Sequence, residues 1–346
     1  MHTLNLAPRR AIALRTLLAL ALSAIGSSVH AHVFCVSTAA QLQQALTQAS
    51  TGGMYNGESN IISVVKGIYK IGTATNHGPF HYASAASGYL LVYGGYDADC
   101  TTTSWKAAQT VLDGDHDSQV LTIRSAVGEV EVDAFTIQNG ESGQYGAGLA
   151  INFVAGDDSQ AIIVHNIIRN NHSTTMAGGI DIGAGGSGNY LWLQNNVISG
   201  NSADQGLGAG EVHGNGGSTL VLNNTVTQNT SANGDGGDLY VFGNDIYVVN
   251  NIFWNNDSYG LYLASQGATL NYNDYGALAG HAPALSNGNV SVPPQFVNAG
   301  AGNFHLAAGS PLIAFSPYLS GGTDPDGNPA PQTGSMNVGA YNQPVP

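Results

Sequence analysis

The sequence predicts an all-β protein, a right-handed parallel β-helix in which the chain coils as three stacked sheets. Five blocks that end in asparagine recur at steps of 32, 30, 28 and 27 residues, and each follows an apolar, strand-like run. A glycine opens a second short strand at nearly the same phase of each repeat. No helical pattern separates these strands, which excludes a doubly wound sheet but allows successive turns to stack as parallel strands. The blocks end at Asn139, Asn171, Asn201, Asn229 and Asn256, and the glycines are Gly148, Gly179, Gly210, Gly237 and Gly260.

The composition agrees with many short strands and tight turns. Of 346 residues, 43% are apolar, only 9% are charged and 47 are glycine, which disfavours long helices and coiled coils. The formal charge is −14. We therefore exclude a nucleic-acid partner, because binding to a phosphate backbone needs clustered lysine and arginine.

The first residues have the pattern of a signal peptide, which we assign to 1–31. Arg9, Arg10 and Arg15 precede the apolar run Leu17–Ile25, and a small-x-Ala pattern predicts cleavage after Ala31. The apolar run is shorter than the roughly 20 residues that cross a bilayer, so we expect no membrane span in the mature chain. We predict export to the extracellular space or the cell surface, with the periplasm as the alternative.

Residues 32–110 are predicted to form an N-terminal cap and the first coils. Thr38 and Gln41 fit a capping box, and they precede an apolar stripe at helical spacing. We expect a short helix there that plugs the open end of the first coil. The stripe consists of Leu42, Ala45, Leu46 and Ala49.

The chain has two cysteines, Cys35 and Cys100. In an exported protein they most simply pair as one disulfide bond, and two free thiols are the alternative.

Residues 111–276 are predicted to be the repeats of the β-helix. Neighbouring coils lie about 4.8 Å apart, so asparagines at one repeat position would stack as a ladder of amide hydrogen bonds. We favour this structural role over ligand binding. The ladder comprises Asn166, Asn196, Asn224 and Asn251, and Ala134 takes the same position in the first coil.

A second column lies four residues before each ladder position. We favour a place in the core for it, but on the outward face Trp192 and Tyr247 would be able to stack on sugar rings. The column comprises Val130, Ile162, Trp192, Leu220 and Tyr247. From about Ala277 proline and glycine become dense, which predicts a C-terminal cap and tail over 277–346.

Several segments resemble bacterial right-handed β-helix proteins of the pectate-lyase-like superfamily. VYGGYDADC, TVLDG and the repeat itself resemble that superfamily. QFVNAGAGNFHLAAGSPLIAFS, DPDGNP and NVGAY resemble the tail of its choice-of-anchor Q group, whose repeats are similar to those of chlamydial polymorphic membrane proteins. Asn337 and Asn342 stand where that tail commonly has acidic residues. The resemblance implies a fold and an export route, and fold alone does not assign an activity.

The glycine-led strands carry the best cluster of carboxylates. Asp181, Glu211 and Asp238 lie on three consecutive coils with His213 beside them, and Ala150 and Tyr262 take the comparable places at either end. Two carboxylates about 5 Å apart repel by roughly 3 kcal/mol, so stacked acids should hold a cation or share a proton. We favour the simpler alternative, in which a register shift of one residue separates these side chains.

Two weaker signals remain. Asp113, Asp115 and Asp117 have the alternating spacing that opens a calcium loop, but a plain turn is favoured because Ser118 stands where such a loop needs glycine. Arg169 is a candidate base for a lyase, although a solvated turn residue is the favoured interpretation.

The functional hypothesis is an exported β-helix that binds a polysaccharide or cell-surface glycan, as an adhesin or carbohydrate-binding module, with calcium as its one candidate cofactor. Its candidate substrate-binding residues are Trp192, Tyr247, Tyr262 and Arg169. The alternative is a polysaccharide-degrading enzyme, a glycoside hydrolase or a cation-assisted lyase, that uses Asp181, Glu211 and Asp238 with assistance from His213. A purely structural spacer is a third hypothesis.

Overall fold

The structure is a computed structural model that describes residues 31–72, 75–84, 86, 88–125, 128–153, 158–184, 186–233, 239–257, 259–317 and 321–342. The described chain is a parallel β-solenoid, which confirms the predicted fold class. The predicted signal peptide lies outside the described residues except for Ala31, which begins the first strand. No helix in these ranges is long and apolar enough to cross a membrane.

Three long parallel sheets, which we name A, B and C, run the length of the solenoid, and each strand pairs with the equivalent strand of the next turn. Sheet A contains Ala31–Val36, Ser59–Val65, Leu90–Tyr96, Glu129–Asp133, Gln160–Val164, Tyr190–Gln194, Ser218–Leu222, Asp245–Val249, Thr269–Asn271 and Leu285–Asn287. Sheet B contains Gly67–Lys70, Thr110–Asp113, Thr136–Gln138, Ile167–Arg169, Val197–Ser199, Thr225–Thr227, Ile252–Trp254 and Asp274–Tyr275. Sheet C contains Phe80–Ser84, Leu121–Ser125, Leu149–Phe153, Ile180–Ala184, Gly210–Gly214, Leu239–Phe242, Leu261–Leu263 and Leu278–Gly280.

A fourth, short parallel sheet adds to the three that the sequence predicts. Sheet D lies between sheets B and C in chain order, and its strands have only two residues each. The repeat spacing could not show it, because two residues are too few to produce an alternating pattern. Its strands are Glu141–Ser142, His172–Ser173, Ser202–Ala203 and Thr230–Ser231.

The core is a continuous apolar column inside the coil. Side chains alternate between the two faces of each strand, so Leu191 and Leu193 are buried in the core while Trp192 between them points outward. Partly buried Tyr247 lies on the same outer face. The favoured inward placement of the predicted column was therefore wrong for Ile162, Trp192, Leu220 and Tyr247. Only Val130 of that column is inward, because Ile162 pairs with Glu131 and not with Val130.

The predicted asparagine ladder is present and longer than predicted. The side-chain oxygen of each member accepts hydrogen bonds from the backbone N–H and the side-chain amide of the member one turn earlier. In the first coil Phe135, and not Ala134 as predicted, takes the ladder position. The N–H of Phe135 donates to Asn166 Oδ1 at 3.0 Å. The complete ladder is Asn166, Asn196, Asn224, Asn251, Asn273 and Asn289.

A second buried ladder follows the turn between sheets B and D. In it, Asn201 Oδ1 accepts from Asn171 N at 3.1 Å and Asn229 Oδ1 accepts from Asn201 N at 3.0 Å. These residues end the repeated blocks of the sequence, where no structural role was predicted for them. Two amide ladders thus fix the turns at two corners of the coil. The members are Asn171, Asn201, Asn229 and Asn256.

The N-terminal cap is a helix, Ala39–Ala49, as predicted. Thr38 Oγ1 accepts a hydrogen bond from Gln41 N at 3.2 Å, and Gln41 Oε1 accepts from Ser37 N at 2.9 Å, which completes the capping interaction. All four residues of the predicted apolar stripe are buried in the core. The disulfide Cys35–Cys100 is formed, with a Cα–Cα distance of 5.8 Å, and ties the first strand to the loop after Leu90–Tyr96.

After Asn289 the chain folds back along the outer face of sheet B. This tail includes the antiparallel pair Phe296–Asn298 and Asn303–Leu306, with a 3₁₀ turn at Ala299–Ala301 between them. Another 3₁₀ turn, Ala107–Gln109, lies in the first coils. Tail residues Phe304 and Tyr341 pack on Val197 of sheet B. Further along the same face, Leu312 and Val338 of the tail pack on Ile252. The tail thus packs on sheet B, whereas Asp181 and Glu211 lie on sheet C.

Candidate functional site

The candidate site is a column of outward side chains on sheet C, one from each turn, which we name the sheet C column. Strand pairing is parallel and in register throughout, so the column follows the solenoid axis at about 4.8 Å per turn. Its two acidic members, Asp181 and Glu211, are direct partners on neighbouring strands. The members are His81, Thr122, Ala150, Asp181, Glu211, Tyr240, Tyr262 and Ala279.

A second outward column lies two residues further along each strand. It places His213 two residues after Glu211, and Gly183 beside His213 on the preceding turn. Gly183 gives the imidazole the space it occupies, because a Cβ added there would lie 2.7 Å from His213 Nε2. The ring therefore lies against the backbone of the preceding strand. The column comprises Arg124, Asn152, Gly183, His213 and Phe242.

Asp181 and Glu211 form a carboxyl pair whose two members both resist ionisation. Burial, and then the neighbouring charge of Glu211, raise the pKa of Asp181 to about 7. Burial also raises the pKa of Glu211, while a hydrogen bond from Asp181 acts in the opposite direction. Asp181, whose pKa is raised by the charge of Glu211 as well as by burial, is the hydrogen-bond donor of the pair, and Glu211 is the acceptor.

The loop before the strand Leu149–Phe153 causes much of the burial of Asp181. Gly146 has φ +69°, and a Cβ added to it would lie 2.8 Å from Asp181 Cβ, so this loop packs directly on the acid. A residue with a side chain would fit neither the backbone conformation nor the space. The pair is thus shielded on the side of Ala150 and open towards His213, whose side chain is 36% exposed.

The two tyrosines extend the column beyond the acids. The rings of Tyr240 and Tyr262 stack with centroids 5.3 Å apart and an interplanar angle of 14°. Tyr262 is 36% exposed, and its neighbour on the next turn is the small Ala279, so its outer side is accessible. Burial, then Glu211 and Tyr262, raise the pKa of Tyr240, which therefore stays a neutral hydroxyl at physiological pH.

The predicted column of three acids is partly present. Asp181, Glu211 and His213 come together, and the favoured separation of these three by a register shift was wrong. Asp238 lies outside the described residues, and Tyr240 takes the position beside Glu211 because Leu239 pairs with Gly210. The sequence did not single out Tyr240 because the cluster was sought one or two residues after each glycine, whereas Tyr240 comes three residues after Gly237. The alternation of Leu239, Tyr240 and Val241 would have placed it outward.

Other predicted ligand-binding residues lie elsewhere on the solenoid. Trp192 and Tyr247 are on sheet A, where they form an apolar cluster with Tyr190, Leu220, Leu222 and Val249. Arg169 ends a strand of sheet B and donates to Gln138 Oε1 at 2.8 and 3.0 Å, as a solvated residue rather than a base beside the acids. Of this group only Tyr262 belongs to the sheet C column.

The three aspartates of the candidate calcium loop have separate protein partners. Burial acts to raise the pKa of Asp113, but hydrogen bonds from Gln138, Asp115 N and Asn139 and the charge of Lys70 outweigh it, so the pKa is lowered. Asp115 pairs with Lys70 at 2.5 Å and Asp117 with His77 at 2.6 Å. The segment is therefore a hydrogen-bonded turn, and its carboxylates do not converge on one point.

Comparison with protein-family models, curated proteins and solved structures finds no match to this chain.

Proposed function

We propose that the protein is an exported β-helix that binds a glycan along the sheet C column. The observation that carries the proposal is the continuous placement of a carboxyl pair and two stacked tyrosines on one outer face. Carboxylate oxygens accept hydrogen bonds from sugar hydroxyl groups, and tyrosine rings pack against the apolar faces of sugars. From Asp181 to Tyr262 the column spans three turns, or about 14 Å, which suits a linear chain of sugars.

Charge favours a neutral glycan. The whole chain has a formal charge of −14, and the column itself has two acids. A strongly anionic polysaccharide would be repelled unless cations bridged the two surfaces. Export supports an external ligand, and the disulfide Cys35–Cys100 fits an oxidising compartment. The sequence resemblance supports a bacterial β-helix protein of the pectate-lyase-like superfamily, and we propose an adhesin-like role for it.

Binding is tested with purified protein and a panel of neutral and acidic polysaccharides by affinity electrophoresis and calorimetry. We expect retention by at least one neutral glycan, weakened by roughly 1–3 kcal/mol in Tyr262→Ala because a stacking surface is lost. Tyr89→Ala is the matched control, since Tyr89 is an exposed tyrosine next to sheet A. The proposal is wrong if Tyr262→Ala binds as well as the control. It is also wrong if Trp192→Ala alone abolishes binding, because the glycan would then lie on sheet A.

Glycan cleavage is the second candidate function. It is favoured by the carboxyl pair, in which one acid and one base lie on neighbouring strands of a face that is accessible beside His213. Such a pair provides a proton donor and a proton acceptor for a cation-assisted lyase reaction. It provides the groups for glycoside hydrolysis only if a bound substrate separates the two carboxyl groups to the roughly 5 Å or more that hydrolysis needs. New reducing ends or unsaturated sugars would show turnover. Turnover should disappear in Asp181→Asn and Glu211→Gln while retention of the glycan remains. Turnover that survives both substitutions would exclude this pair as the catalytic groups.

A further inference from the structure

We propose that Asp181, Glu211 and His213 bind a divalent transition-metal ion of the Zn²⁺ type. This inference rests on the proposed glycan-binding function and adds to it, because an ion at this position would lie beside the bound glycan. Among the described residues these three are the one group of at least three histidine, cysteine, aspartate or glutamate side chains placed to share an ion.

The ligand atoms are already close together. Each of the three side chains offers one atom, and these atoms all lie within 4.8 Å of one another. Ligands bound to zinc at about 2.0–2.2 Å lie about 3.4 Å apart in a tetrahedral arrangement. Small side-chain rotations therefore complete the site without any change in the strands. With three protein ligands, the ion would keep a position open to the outer face.

The charge of the site favours a cation. No lysine or arginine in the described part of the chain lies within ion-pair distance of Asp181 or Glu211, although the charge of Arg124 acts on Asp181 from further away. Glu211 is only 15% exposed. Two half-buried carboxyl groups without a cation in direct contact are costly when ionised. A divalent ion would compensate both negative charges at once and so favour the deprotonated carboxylates that bind a metal.

His213 decides the class of ion. Calcium and magnesium prefer oxygen ligands, whereas an imidazole nitrogen favours zinc, nickel or copper. The ring of His213 has no hydrogen-bond partner within the described ranges, and its Nδ1 lies 4.0 Å from Glu211 Oε1. Gly183 keeps the ring against the strand, which positions it towards the acids.

The chain contains a matched comparison for this cluster. His172 Nε2 on sheet D lies 3.7 Å from Glu141 of the same sheet and 3.7 Å from Asp204, which follows the strand Ser202–Ala203, so it too lies between two carboxylates. Its Nδ1, however, is hydrogen-bonded to Ser202 Oγ at 2.9 Å, and both acids are well exposed to solvent. We expect this second cluster to bind metal much more weakly than the first.

The test is equilibrium dialysis of tag-free, metal-depleted protein against Zn²⁺, with Co²⁺ as a spectroscopic probe. We expect one bound equivalent, and a loss of roughly 10- to 100-fold in affinity for His213→Gln and Asp181→Asn, since even residues outside the ligand set change affinity by that factor. Gly183→Ala should also weaken binding because it displaces the ring. His172→Gln should bind Zn²⁺ as the unmodified protein does. Thermal unfolding of each variant confirms that it is folded.

The proposal is overturned if His213→Gln binds Zn²⁺ unchanged, if His172→Gln alone loses the ion, or if Ca²⁺ binds more tightly than Zn²⁺. Metal binding is measured without glycan. Glycan retention is measured with and without chelator and judged by the Tyr262 variant. The metal proposal and the glycan proposal therefore fail on different measurements.

Discussion

Asn251 fixes Asn224 through a single oxygen atom: Asn251 Oδ1 accepts from Asn224 N at 2.8 Å and from Asn224 Nδ2 at 2.9 Å. Asn224 Nδ2 also donates to the carbonyls of Leu193 and Leu222, and all these groups are buried. One amide therefore satisfies turn backbone that no strand ladder reaches.

Replacing Asn224 should destabilise the fold strongly. Asn224→Ala removes the acceptor of Asn196 N and the donor to two buried carbonyls, so we expect a loss of about 2–4 kcal/mol. Asn215→Ala, at an exposed position, should change stability by less than about 0.5 kcal/mol. Urea denaturation followed by circular dichroism measures both. Equal stabilities of the two variants would contradict the ladder as a source of stability.

Asp274 should make stability depend on pH. Its Oδ1 accepts from Val292 N at 2.9 Å, its Oδ2 is buried with no hydrogen-bond partner, and burial raises its pKa from 3.8 to about 7. Below about pH 4 the group is protonated in the folded and unfolded states alike. Between about pH 4 and 7 only the unfolded chain ionises, so stability should fall as pH rises and then level off.

Asp274→Asn should remove that component. We expect the variant to gain about 2–4 kcal/mol relative to the unmodified protein at pH 7.5, and little at pH 4. Denaturant unfolding at both pH values measures the difference. An unchanged pH slope in the variant would show that Asp274 is not the group responsible.

The tail should contribute to stability through its apolar contacts with sheet B. Leu312 is fully buried against Ile252 and Val338, whereas Leu285 is 64% exposed at the last strand of sheet A. Leu312→Ala should cost about 2–4 kcal/mol, and Leu285→Ala less than about 0.5 kcal/mol. Limited proteolysis should cleave the tail of the first variant sooner. If both variants are equally stable and equally resistant, the tail is not docked as described.

The disulfide should be a large stabilising element of the N-terminal cap. It closes a loop of 65 residues, for which the chain-entropy model gives roughly 4 kcal/mol. Cys35→Ser with Cys100→Ser should lower the melting temperature, and a reducing agent should have the same effect on the unmodified protein but none on the variant. An unchanged melting temperature in both experiments would contradict this role.

Much of the architecture follows from the repeat in the sequence. The recurrence of Asn166, Asn196, Asn224 and Asn251 was sufficient to predict the ladder, because each stacked turn has the same backbone N–H and C=O groups that no neighbouring strand pairs. The capping helix was also predictable, since Thr38, Gln41 and the apolar stripe are local signals. Sheet D and the packing of the tail on sheet B were not, because two-residue strands and contacts between distant segments leave no local periodicity.

The site was only half predictable. The sequence placed Asp181 and Glu211 on consecutive turns, but the glycines mark the phase of each strand only to within one or two residues, which admitted Asp238 and missed Tyr240. A shift of one residue moves a side chain to the opposite face of a strand, and only hydrogen-bonded pairing fixes that register.

The amino-acid order by itself determined that the chain coils, where the amides stack and which residues cap the first turn, because these depend on spacing along the chain. The tertiary structure alone decided which face of sheet A is outward, which side chain follows Glu211 along sheet C, and which sheet the tail covers. Those choices depend on burial and strand register, and both arise only when separate turns come into contact.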